Sequence, residues 1–68
     1  LDLEVGKTYK LRHTRKGEFT AKVLSCDDEW AEVEIVEGEA KEMSRENEGP
    51  GEKVTIRVAH VFKAVEVS

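Results

Sequence analysis

The feature that most constrains this chain is a period of two. Apolar and polar residues alternate in Tyr9-Lys10-Leu11-Arg12, Phe19-Thr20-Ala21-Lys22-Val23, Ala31-Glu32-Val33-Glu34-Ile35 and Val54-Thr55-Ile56-Arg57-Val58. Successive side chains of an extended strand point to opposite faces, so each run reads as a half-buried strand. Strands are expected over 7–13, 18–26, 30–37, 53–58 and 62–67, after a lead-in at 1–6 in which Leu1, Leu3 and Val5 alternate with acids. Long amphipathic helices are excluded, although Glu39 to Glu46 has helical propensity and room for one or two turns. Short strands with closely spaced turn signals point to an all-β barrel or sandwich. Closure into a barrel removes exposed edges, so the expectation is a five-stranded SH3-like barrel with one long acidic loop. The alternative is an OB-like barrel, with 39–46 as the helix between strands three and four.

The punctuation supports this order. Thr14-Arg15-Lys16-Gly17 is a polar turn closed by a glycine that takes a positive φ at little cost. Asp27-Asp28-Glu29 is a second turn. Residues 38–52, with three glycines, the only proline and five glutamates, form one long irregular segment. Such a loop is either a partner-binding or gating arm, with Met43 as an apolar anchor, or a solvated connection. Ala59-His60-Val61 breaks the alternation, which predicts a bulge or a short 3₁₀ turn with His60 in a structural role.

Size sharpens the demand on the core. The 68 residues read as one domain, 1–68. A domain this small buries only about 60% of its unfolded surface and leans on disulfides, metals or oligomerisation. Cys26 is the only cysteine, so no intramolecular disulfide forms, and its distances from His13 and His60 are not those of a structural zinc site. No metal or cofactor is expected. Apolar stretches never exceed three residues, against roughly 20 for a membrane span. A lone thiol and no signal-like N-terminal pattern make a cytoplasmic location the expectation.

Charge is divided along the chain. The net charge is −4, yet residues 7–26 hold six bases and one acid, whereas 27–52 hold eleven acids and two bases. The stretch VGKTYKLRHTRKGEFTAKV, Val5 to Val23, has a glycine before strand one, a basic turn closed by glycine, and an alternating strand ending in valine. It resembles the opening hairpin of KOW and Tudor-type SH3-like barrels, and the chain also resembles short bacterial proteins associated with phages or plasmids. The KOW and Tudor resemblance covers about a third of the sequence. It implies a binding module, since those families bind RNA, ribosomal components or protein tails. The acidic 27–52 segment departs from the basic character of ribosomal KOW domains.

Two functions follow as expectations. The first is a non-catalytic module that binds a protein or peptide, or a second copy of itself, with Trp30 as the central residue on the polar side of its strand. Alternatively Trp30 caps one barrel end against Leu24 or Val36. The second function is RNA or single-stranded DNA binding through the basic hairpin 12–22. There Arg12, His13, Arg15, Lys16 and Lys22 would track phosphates from the outer face of the hairpin, and Tyr9 and Trp30 would stack on bases. Against it, Lys22 would lie opposite Glu32 or Glu34 if strands two and three pair, neutralising the face. Catalysis is not expected: nothing brings Cys26 beside a histidine, and the acids after it disfavour a thiolate.

Overall fold

The computed structural model describes residues 2–43 and 45–67. The strands are β1 (Thr8–His13), β2 (Gly17–Cys26), β3 (Trp30–Gly38), β4 (Lys53–Arg57) and β5 (Val61–Glu66), with a 3₁₀ turn at Val58–His60 before β5. All five expected strands form, each bound lying within one residue of its expected place, and the broken alternation marks the 3₁₀ turn. They make one antiparallel sheet in the order β4-β3-β2-β1-β5. Five strands with a 3₁₀ turn before the last one are the elements expected of a small SH3-like barrel. The sheet is not closed: β4 and β5 remain its two edges.

Curvature comes from β2 and its pairing with β3. The start of β2 pairs with β1, from His13↔Gly17 to Thr8↔Lys22. Its later part pairs with β3, from Phe19↔Gly38 to Cys26↔Ala31, with register shifts at Thr20/Ala21 and Val23/Ser25. The first shift leaves Val36 of β3 unpaired and the second Leu24 of β2, and each bends its strand and increases twist. The sheet thus wraps around one core in which Leu11, Phe19, Val23, Val33, Ile35 and Ile56 are the largest fully buried side chains. Phe19→Ala would cost about 3–5 kcal/mol there.

Two glycines permit this wrapping. Gly17 (φ 81°) closes the β1–β2 turn as expected, and Gly38 (φ 83°) ends β3. A Cβ on Gly38 would meet the Phe19 Cα at an ordinary contact distance of 3.5 Å, so it is the positive φ, not space, that disfavours a side chain there.

Residues 38–52 form no helix among those described, contrary to the turns expected at 39–46. Ala40 and Glu48 instead make an isolated antiparallel bridge, Ala40 N donating to Glu48 O at 2.8 Å and Glu48 N to Ala40 O at 2.9 Å. The arm returns along β3, where Gly51 N donates to Ile35 O at 2.8 Å and Ile35 N to Glu52 O at 2.9 Å. Ala40 is fully buried in the core, and this non-local burial outweighs local helical propensity. The OB-like alternative falls with the helix it needed.

Candidate functional site

The open seam leaves a cleft of about 300 Å³, walled by the β1–β2 turn, the arm, β4 and the 3₁₀ turn. The turn contributes His13, Arg15 and Lys16; the arm contributes Lys41, Glu42 and Met43. Trp30, Ile56, Arg57 and His60 line the rest, together with Thr55.

His13 organises this wall. Contrary to its expected place among the outer basic residues, it shares the sequence parity of Tyr9 and Leu11, faces inward, and is only 4% exposed. Its Nδ1 accepts hydrogen bonds from the backbone N–H of Arg15 and of Lys16, both at 3.1 Å. An acceptor there is unprotonated, so the neutral ring carries its proton on Nε2. Burial, reinforced by His60, Lys16 and Arg15, holds the imidazole below its ordinary pKa of 6.5. The His60 ring meets it edge-on at 5.5 Å between centroids, and His60 O accepts from Thr14 N at 2.9 Å. The His60 ring thus packs on His13 from within the 3₁₀ turn expected at 59–61.

The arm is tied to the same turn. Lys41 N donates to Lys16 O at 3.0 Å, and the Lys16 ammonium pairs with the Glu42 carboxylate. That pairing holds Glu42 below the ordinary carboxyl range, while burial and the neighbouring Glu42 push Glu48 above it. Met43, at the end of this tethered stretch, is 96% exposed on the cleft rim.

Trp30 enters β3 from a turn fixed by Asp27, whose carboxylate accepts from Trp30 N at 2.7 Å and Glu29 N at 2.8 Å. Those two bonds lower the Asp27 pKa. In the β3–β4 register Trp30 lies opposite Arg57, and the guanidinium stands 4.5 Å from the ring centroid. Arg57 also pairs with Glu29 at 3.4 Å. The indole is 41% exposed, and Arg57 covers it where an end-cap on Leu24 or Val36 was the alternative expectation. Trp30 also lines a second, more open depression with Cys26, Asp27 and Glu32 among others.

The other expected site residues divide. Arg15 and Lys16 stand at the cleft with Trp30. Arg12 and Lys10 lie on the outer hairpin face, where Glu18 takes both, at 3.1 Å and 3.9 Å. Lys22 is in register with Glu34 across β2–β3, one of its two expected neighbours. Tyr9 departs from the expected stacking role: it is 6% exposed, and its hydroxyl accepts from Glu4 N at 2.9 Å. Its ring has no face for a base because it shares the inward parity of Leu11.

Sequence reasoning missed Lys41 and Arg57. Lys41 carried one signal, being one of two bases in an acid-rich segment; Arg57 carried none, because its meeting with Trp30 depends on long-range register. Among the described residues, no cluster of three or more histidine, cysteine or carboxylate side chains could hold a metal ion. None of their helices is long and apolar enough to cross a membrane.

The fold and the site together define a small, open, barrel-like β domain with a cation-lined cleft on its seam. Compared with family models, curated proteins and solved structures, the chain matches none.

Proposed function

We propose that the chain is a small, non-catalytic binding module of the cytoplasm that holds a segment of another protein in the seam cleft. The supporting observation is the cleft's composition: a partly exposed indole, with Ile56 and Met43, among several side-chain donors. Tryptophan and arginine dominate binding energy at protein interfaces, and here Trp30 and Arg57 are held together before any partner arrives. The non-catalytic reading rests on Cys26, which donates to Asp27 O at 3.4 Å in a depression lined by acids and no histidine. The same free thiol supports a reducing compartment.

Single-stranded RNA or DNA is the second reading, favoured by the Trp30–Arg57 stack beside Arg15 and Lys16. Self-association is the variant in which a second copy supplies the bound segment.

Selection of displayed random heptapeptides on the immobilised domain tests the first reading. Enriched peptides are expected to share one site and to lose at least about tenfold in affinity on Trp30→Ala, with the domain still folded. No enrichment, or binding indifferent to Trp30→Ala, would contradict it. If Trp30→Ala unfolds the domain, perturbation of cleft amides by the selected peptides decides instead.

A further inference from the structure

The charge of the cleft opposes that of the chain. The chain carries 15 acids and 11 bases, yet four cations and a single carboxylate line the cleft. That carboxylate, Glu42, is engaged by Lys16, and Arg57 is engaged by Glu29. Arg15 and Lys41 have no carboxylate partner among the described residues, although both reach the cleft. Their positions are set by backbone bonds: Arg15 N to the buried His13 ring, and Lys41 N to Lys16 O. The Lys41 stem also lies across Gly17, its Cε 3.8 Å from where a Cβ would stand.

We infer that the occupant of the cleft is an acidic peptide segment, with carboxylates received by Arg15 and Lys41 and an apolar side chain set against Trp30 and Met43. This rests on the peptide reading above and names the chemistry of that peptide. Two observations favour a peptide over a nucleic acid. Trp30 also lines the neighbouring depression with Asp27 and Glu32, so a strand of evenly spaced phosphates passing from the cleft along Trp30 would meet carboxylates. A peptide can confine its charge to two or three positions. The outer hairpin face, the other track for phosphates, is matched by Glu18.

Backbone amide NMR at low salt tests this with three probes: the acetylated and amidated peptide DELDE, its isostere NQLNQ, and an octamer of thymidylate. DELDE is expected to shift amides of 13–16, 30 and 41–43 saturably, and NQLNQ to bind at least about tenfold more weakly. The double variant Arg15→Gln, Lys41→Gln, which removes no ion pair of the fold, should bring DELDE down to the level of NQLNQ. Equal binding of DELDE and NQLNQ would overturn the acidic specificity and leave the peptide reading standing. Silence from both peptides with saturable shifts from the oligonucleotide would overturn both and favour the nucleic-acid reading. Silence from all three would overturn the acidic-segment assignment; the selected heptapeptides would then decide the peptide reading separately.

Discussion

The β1–β2 hairpin displays its basic residues in two places, and the fold treats them differently. Along the strands, Lys10 and Arg12 lie across from Glu18 and are paired. At the turn, Arg15 lines the cleft without such a partner among the described residues, on a backbone folded around His13 Nδ1. In the sequence the two groups are one basic run. The first is a solvated face in local balance, and surface pairs of that kind contribute little. The second is a charge on an exposed side chain whose backbone is fixed by the buried His13. The difference teaches that a basic cluster becomes a candidate site where tertiary structure fixes it and leaves it unmatched.

The largest expected effect separates the two regions at their hinge. His13→Ala removes a buried ring and the acceptor for two backbone donors, and should cost about 2–3 kcal/mol. With a urea slope of about 1 kcal/mol/M, the unfolding midpoint falls by about 2 M. Hydrogen exchange at 14–16 and 41–42 should accelerate. Arg12→Ala should change stability by less than about 0.5 kcal/mol. Similar losses from the two variants would erase the distinction.

Acidification probes the same hinge without mutation. His13 has a folded-state pKa below its ordinary 6.5, so between the two values the unfolded chain binds the extra proton. Its stabilising contribution is present above pH 6.5 and declines as pH falls toward the depressed value. The groups facing it are His60, Lys16 and Arg15, all adverse to a second positive charge. Glu48 works in the other direction: its raised pKa makes the folded state hold a proton longer, a contribution lost as pH rises through that value. In Glu48→Gln the opposing contribution is gone, so urea midpoints at pH 7.5 and 5.5 should differ more than in the parent. A midpoint that rises on acidification in this variant would contradict the role given to His13.

The smallest effect tests the matched side. Glu18→Gln releases Lys10 and Arg12 and should move stability by less than about 0.5 kcal/mol. It should also raise salt-sensitive oligonucleotide binding at low ionic strength. No gain in binding would mean that Glu18 does not mask that face.

Strand placement was legible because alternation is a local signal and because Gly17 and the break at 59–61 punctuate it. Inward His13 was legible from the same parity, although its place in a basic run drew attention to its charge. The arm was not legible. Ala40 reads as a helix former, and its burial comes from a bridge to Glu48 and the return of the chain along Ile35. Neither contact has a sequence signature. The site was half legible for the same reason: Arg15, Lys16 and Trp30 stood out by type, whereas Arg57 and Lys41 reach them through strand register and the tethered arm.

The central claim is that the seam cleft, and not the outer face of the hairpin, is the binding surface. The most direct measurement is the affinity of one cleft-selected peptide for two charge reversals on the same hairpin, Arg15→Glu and Arg12→Glu, each checked for an unchanged fold. The account predicts a loss of at least about tenfold for Arg15→Glu and a change within about twofold for Arg12→Glu. Equal losses, or a larger one for Arg12→Glu, would place binding on the outer face and contradict it.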